Sequence, residues 1–232
     1  LQQIRQAGAS GVVTALDHIK TGDIWPLEEI KTRQTLLTQN GLEWTVVESV
    51  PVHQDIKLRN GNYQAYINNY RQSLINLGER GIKRVCYNFM PVVDWTRTNL
   101  NFELENSSSA LRFEMSDFIA YDIHILERVD AASDYSQAQV GKAAERYAGM
   151  GDEEKMLLES NIIAGLPGGE GSYDRQGIKA AIEAFRGIGT AGLRRNLQLF
   201  LADVIPAAEE AGVVLAIHPD DPPFSLFGLP RV

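Results

Sequence analysis

Val213-Val214-Leu215-Ala216-Ile217-His218-Pro219-Asp220-Asp221-Pro222-Pro223 is the stretch whose reading decides the fold class. Five apolar residues, three of them β-branched, predict a buried parallel strand. The strand ends on an imidazole. Two carboxylates follow, in a loop stiffened by Pro219, Pro222 and Pro223. A polar cluster at the carboxyl end of a buried strand is where α/β folds place their chemistry.

The same junction recurs upstream. Glu209-Glu210-Ala211-Gly212 leads into the strand above; Gln6-Ala7-Gly8 leads into Gly11-Val12-Val13-Thr14-Ala15-Leu16. Gln39-Asn40-Gly41 leads into residues 42–50, and Glu79-Arg80-Gly81 into residues 83–90. Glycine just past a helix accepts the left-handed conformation that ends it. Helices alternating with strands imply a parallel sheet with right-handed crossovers. The first three units recur about every 35 residues, as βα units do. Helices are predicted over 26–39, where Pro26, Glu28 and Glu29 form an amino-terminal signature, over 63–77, and over 194–211 with a kink at Pro206.

The rhythm breaks between residues 99 and 189. No clear strand is legible there. Short amphipathic segments cover 115–126, 136–150, 152–163 and 174–185, with loops at Asn106-Ser107-Ser108-Ser109 and at 165–171. The glycine-rich 165–171 stretch follows no strand, so it reads as a flexible loop and not a phosphate cradle. Residues 99–189 are therefore expected to form a helical cap inserted after the third visible strand. The fold class is α/β. A closed (β/α)8 TIM barrel needs eight strands and about 250 residues. Four strands are legible, so residues 1–232 are expected to be a single, incomplete TIM-barrel domain, with its remaining strands before Leu1 and after Val232.

The composition is that of a globular protein: 232 residues, 44% hydrophobic and 22% charged. A net charge of −8 opposes a nucleic-acid or anionic-membrane surface. No apolar run reaches the length of a membrane span, and no secretory leader is recognisable. The one cysteine, Cys86, sits in a strand-like apolar run and reads as a small buried hydrophobe; a reducing cytoplasm is the expected compartment.

Polar residues collect where the strands end. The first strand offers Asp17 and His18, the second Glu48 and His53, the third Asn88, Asp94, Trp95 and Arg97, the fourth His218, Asp220 and Asp221. His124 falls in a cap helix. His218 reads as a metal ligand or as a histidine bonded to loop backbone. His18 and His53 read as substrate contacts, proton-transfer groups or ordinary loop histidines. Glu48 reads as a ligand, a base or a loop-facing carboxylate. Asp220 and Asp221 suit either the support of His218, substrate contact or turn chemistry. Trp95 and Arg97 offer an aromatic wall and a guanidinium fork, suited to a hydroxylated carboxylate, or simply anchor a surface loop.

At these residues the chain resembles the mannonate dehydratases of hexuronate breakdown. The resemblance is carried by Arg5-Gln6-Ala7-Gly8 with Gly11-Val12-Val13-Thr14-Ala15-Leu16 and His18, and by Val46-Val47-Glu48-Ser49-Val50-Pro51. It continues through Val85-Cys86-Tyr87-Asn88-Phe89-Met90-Pro91 with Asp94-Trp95-Thr96-Arg97-Thr98, and through residues 161–168. It ends in Ala216-Ile217-His218-Pro219-Asp220-Asp221-Pro222-Pro223 with Gly228-Leu229-Pro230-Arg231. The resemblance implies a barrel similar to xylose isomerase and the metal-assisted loss of water from D-mannonate, giving 2-keto-3-deoxy-D-gluconate. It implies one divalent metal, Mn²⁺ or alternatively Fe²⁺, with His218 as its first ligand. The other ligands and the catalytic acid and base are expected beyond Val232, and Cys86 is not the family's ligand cysteine. His18, His53, Asn88, Trp95, Arg97 and Asp220 are the expected substrate contacts. A homodimer with a small sugar-acid substrate, and with neither nucleic acid nor membrane as partner, is the expected working form. The alternatives are a sugar isomerase or epimerase on the same scaffold, or an inactive fragment.

Overall fold

The structure, a computed structural model, describes residues 1–164 and 174–232. In chain order it has α1 (Gln2–Gln6), β1 (Gly11–Thr14), α2 (Leu27–Gln39), β2 (Glu43–Val47), α3 (Gln54–Leu58), α4 (Tyr63–Glu79) and β3 (Arg84–Tyr87). There follow β4 (Asn99–Glu103), β5 (Ser109–Arg112), α5 (Met115–Ala120), a π-helical turn (Tyr121–Ile125) and a 3₁₀ turn (Ala131–Asp134). The chain then forms α6 (Gln137–Ala148), α7 (Asp152–Ala164), α8 (Arg175–Ala184), α9 (Gly189–Glu210) and β6 (Val214–Ile217). The glycine-rich stretch read as a loop, 165–171, lies outside the described residues.

The chain separates into two compact units. The first is Leu1–Phe89 with Thr190–Pro219 and Val232; the second is Met90–Gly189 with Asp220–Arg231.

The first unit is built on a four-stranded sheet in the order β1-β2-β3-β6, with every pairing parallel. This is the sheet that the alternation of glycine-ended helices and β-branched strands predicts. It stays open among the described residues, with β1 and β6 at its edges. That position changes the character of β6. The sequence reads it as buried, yet Val214 is 66% exposed and Ile217 43%. An edge strand has a neighbour on one side only, so apolar content alone does not bury it.

Helices α4 and α9 supply the core of this unit. Phe200 of α9 is fully buried, and its ring meets Tyr70 at 5.2 Å, Tyr87 at 5.6 Å and Phe89 at 5.7 Å. Leu74, Leu77, Val85 and Val204 complete the layer. Two buried polar side chains fasten the helices. Ser73 Oγ accepts from the Trp25 backbone N–H at 3.0 Å, and Asn76 Nδ2 donates to the Trp25 carbonyl at 2.8 Å. These two bonds tie the start of α2 to α4. Gly78 lets the end of α4 approach Ala211, whose carbonyl would collide with any Cβ there. Helix α9 continues through Pro206.

The second unit contains an antiparallel hairpin, β4 with β5, where the sequence shows no clear strand. Both strands are short and mostly solvent-facing, so they lack the apolar run that marks a strand in sequence. Ser107 turns the chain at φ 63, and Asn106 Oδ1 accepts from the Ser108 N–H at 3.1 Å. The remaining segments are helical, close to where the periodicity puts them. Ser136 caps α6 in a reciprocal capping box with Gln139. Phe118 and Phe227 pack at 4.7 Å, with Phe113 against Phe118 at 5.6 Å. Asp122, fully buried, accepts two bonds from Arg128 (2.8 and 2.7 Å) and one from the Tyr135 hydroxyl (2.7 Å).

Because Phe200 joins three aromatic rings, Phe200→Ala leaves a cavity that its neighbours cannot all fill. The expected loss is about 3–5 kcal/mol of unfolding free energy, read from urea titration of the full-length protein. A loss under about 1 kcal/mol would show that the cluster is not a core.

Candidate functional site

The parallel ladder runs one residue past the strands. The Glu48 N–H donates to the Thr14 carbonyl at 3.2 Å, and the His218 N–H donates to the Tyr87 carbonyl at 2.9 Å. Glu48, Asn88 and His218 are each the first residue after their strand, β2, β3 and β6 respectively. These strands are consecutive neighbours in the sheet. Three of the residues expected at the rim, Glu48, Asn88 and His218, thus lie at neighbouring strand ends of the first unit, while Asp94, Trp95, Arg97, Asp220 and Asp221 belong to the second.

His218 has its tautomer set by the chain itself. Its Nδ1 lies 2.7 Å from the Pro219 carbonyl oxygen. A carbonyl only accepts, so Nδ1 carries the hydrogen and the neutral ring keeps its lone pair on Nε2. Nε2 lies 3.9 Å from Glu48 Oε1. The reading of His218 as a histidine bonded to loop backbone holds at Nδ1, while Nε2 faces Glu48. Cys86, one strand over, hydrogen-bonds Glu48. Burial, reinforced by the Glu48 carboxylate, pushes the Cys86 thiol up to about 11. At neutral pH it is therefore a thiol that donates to the carboxylate. Asn88 is 2% exposed. Its Nδ2 donates to Ser49 Oγ at 3.1 Å, while its Oδ1 is buried without a hydrogen-bond partner.

The His218 imidazole and the Glu48 carboxylate that faces it are donor types that a divalent cation accepts. Among the described residues no group of three or more His, Cys, Asp and Glu side chains converges.

The other histidines have local duties. His53 is the N-cap of α3, its Nδ1 accepting from the Asp55 N–H at 3.1 Å. Its ring stacks on Tyr66 at 3.9 Å beside Gly22, where a side chain would strike both rings. Burial lowers its pKa, outweighing the pull of Asp55. His18 Nε2 sits 3.0 Å from Glu29 Oε2, both side chains about half exposed. His124, on the π-helical turn of the second unit, stacks on Tyr147 at 4.8 Å.

In the second unit Arg97 forms a two-pronged bond to Asp221, at 3.0 and 2.7 Å. Its fork is thus occupied within the chain. Val92 (φ 66) and Trp95 (φ 47) hold the left-handed conformation in the loop between β3 and β4, at a cost of about 1–3 kcal/mol each. Asp220, Asp94 and Asp221 all act electrostatically on Arg231, whose pKa is lowered by burial against their pull. Arg231 escapes a reading from strand ends because it follows no strand. Glu48 is legible through its offset, which it shares with Asn88 and His218.

Comparison with known proteins gives a consistent result. The family described as D-mannonate dehydratase (UxuA) matches residues 1–232. The mannonate dehydratase of Saccharophagus degradans is 59% identical over the whole chain, and mannonate dehydratase 2 of Agrobacterium fabrum 55%; each is covered over 58% of its own length. The crystal structure of mannonate dehydratase from Streptococcus suis serotype2 superposes with a TM-score of 0.69 at 36% identity, over 99% of this chain and 52% of that one. The chain thus spans little more than half the length of the relatives it matches.

Two outcomes follow from the site chemistry. Cys86 is expected to resist iodoacetamide at pH 7.5 and to react only as pH approaches about 11, followed by mass spectrometry; rapid labelling at neutral pH would contradict a protonated thiol. His53 is held neutral by the fold, so its folded pKa lies below the unfolded value near 6.5. Its contribution to stability is full above that value and is lost as pH falls through and below it. His53→Asn keeps a capping acceptor and should flatten this part of the stability–pH curve; an unchanged curve would remove His53 as its source.

Proposed function

Because this chain belongs to the D-mannonate dehydratase family, we propose that the full-length protein removes water from D-mannonate, giving 2-keto-3-deoxy-D-gluconate. The reaction takes a proton from the carbon α to the carboxylate and expels the β-hydroxyl. The observation that carries the reading, beyond family membership, is the rim of Glu48, Asn88 and His218, with Nε2 of His218 set as a lone-pair donor.

In this proposal His218 gives one ligand to a divalent cation, Mn²⁺ or alternatively Fe²⁺. When bound, such a cation stabilises negative charge developing on the substrate carboxylate. The remaining ligands and the acid and base come from the part of the family's length that this chain does not span. The same part closes the parallel sheet into a barrel. Asn88 Oδ1, buried and without a partner, accepts from a substrate hydroxyl; an unsatisfied buried acceptor costs about 1–3 kcal/mol, which a ligand would recover. His53, neutral and accepting at Nδ1, presents Nε2–H as a donor to the polyol, and His18 contributes from the more exposed end of the first strand. Trp95, Arg97 and Asp220 belong to the second unit. The reading carries with it a cytoplasmic homodimer; among the described residues no helix is long and apolar enough to cross a membrane.

The test is turnover of D-mannonate by the full-length protein with added Mn²⁺, scored as 2-keto-3-deoxy acid. His218→Ala is expected to lower kcat/KM by more than about 100-fold, and Asn88→Ala to raise KM roughly tenfold. Residues 1–232 alone are expected to show no turnover, since one histidine does not retain a divalent cation. An isomerised sugar acid formed without loss of water would overturn the dehydratase reading.

A further inference from the structure

We propose that Tyr66 is a positioning residue for His53, its ring fixing the plane in which the imidazole meets substrate. The inference rests on the reading of His53 as a substrate contact and deepens it. The outer torsion of a histidine side chain is broad, so one hydrogen bond at Nδ1 does not set the plane of the ring. Here the plane is set by a closed circuit of contacts. Nδ1 of His53 accepts from the Asp55 N–H at 3.1 Å. The Asp55 carboxylate accepts from the Asn62 N–H at 2.9 Å, and Asn62 is the N-cap of α4. One turn further along α4, Tyr66 returns to His53, with ring centroids 3.9 Å apart and planes inclined by 27°. The bond that ties α3 to α4 therefore also brings the two rings face to face.

Gly22 closes the stack from the side. A Cβ there would lie 2.6 Å from Tyr66 Cδ1 and 3.2 Å from His53 Cδ2, so the loop backbone lies against both rings. Asn69 Nδ2 donates to the Gly22 carbonyl at 2.8 Å and holds that backbone in place. Tyr66 and Asn69 are three residues apart on α4, hence on one face of it. The same face continues through Ser73 and Asn76, which hold Trp25. One stripe of α4 thus grips the loop after β1 and the ring that the loop covers. Because Nδ1 accepts, the neutral ring carries its hydrogen on Nε2. Burial in this setting lowers the His53 pKa, which keeps the ring neutral at neutral pH. The direction of Nε2–H then follows the plane of the ring, and the plane follows Tyr66. The flat face of Tyr66 does this work, and its hydroxyl is not needed for it.

The test is a double-mutant cycle on the full-length protein with saturating Mn²⁺, in which kcat and KM for D-mannonate are measured separately. The variants are His53→Ala, Tyr66→Phe, Tyr66→Leu, Tyr66→Met and His53→Ala combined with Tyr66→Leu. Far-UV circular dichroism and thermal melting establish that each is folded. Tyr66→Met fills much of the same volume without a flat face, so it takes the place of Tyr66→Leu, alone and in the double variant, if that protein does not fold. His53→Ala is expected to raise KM about tenfold with kcat within about twofold. Tyr66→Leu and Tyr66→Met are expected to raise KM about three- to tenfold, and Tyr66→Phe to stay within about twofold of the wild type. The double variant is expected to be no worse than His53→Ala alone, because a residue that acts through His53 has nothing left to position. Factors that multiply in the double variant would overturn the proposal, as would a Tyr66→Phe protein as impaired as Tyr66→Leu. Tyr66 variants with wild-type KM, beside an impaired His53→Ala, would overturn it too and leave His53 as a contact. A His53→Ala protein with wild-type KM would overturn both readings.

Discussion

The parallel pairing of β3 with β6 is the constraint on which the rim depends. Arg84, Val85, Cys86 and Tyr87 lie opposite Val214, Leu215, Ala216 and Ile217 without a break in register. The neighbouring β1–β2 pair, by contrast, shifts register between Val12 and Val13. Most of the second unit lies in sequence between β3 and β6. Closing so long a loop costs entropy that grows only logarithmically with its length. Four consecutive residue pairs and the Phe200 cluster beneath them can offset that cost. The order of the sheet then follows, and with it the placing of Asn88 beside His218.

The rim also shows how backbone decides what a side chain does. His53 and His218 are both loop histidines within bonding distance of main chain. His53 meets an N–H, so its Nδ1 is an acceptor and the ring serves α3. His218 meets a carbonyl, so its Nδ1 is a donor and its Nε2 faces Glu48. The residue type is the same and the local partner has the opposite polarity. Cys86 follows the same logic, since burial beside Glu48 makes it a donor and suppresses its nucleophilicity.

Much of this was legible in the sequence. The glycine-ended helices before Val213, Gly11, Leu42 and Lys83 predict parallel strands because a parallel sheet needs a crossover between each pair. The offset of His218 from its strand predicts a rim. Other features were not legible, for physical reasons. The exposure of Val214 and Ile217 is set by neighbours in space, and apolar composition carries no record of an edge. The β4–β5 hairpin is held by backbone bonds and an Asn-Ser turn, with no apolar face to betray it. The choice of Asp221 over Asp220 as partner of Arg97 depends on loop geometry that two adjacent carboxylates do not encode. The capping role of His53 is invisible because histidine is not among the usual capping residues.

The shared offset of Glu48, Asn88 and His218 sets where the family can tolerate insertions and deletions. Side chains alternate between faces along a strand, so one residue gained or lost inside β6 would turn His218 to the opposite side of the sheet. The same holds for Glu48 at the end of β2. Between Tyr87 and Val214 the constraint relaxes, because a loop's length does not change the register of the strands it joins. Changes of length among homologues should therefore accumulate in that excursion and at the hairpin tip around Ser107, while the spacing from Val214 to His218 stays fixed.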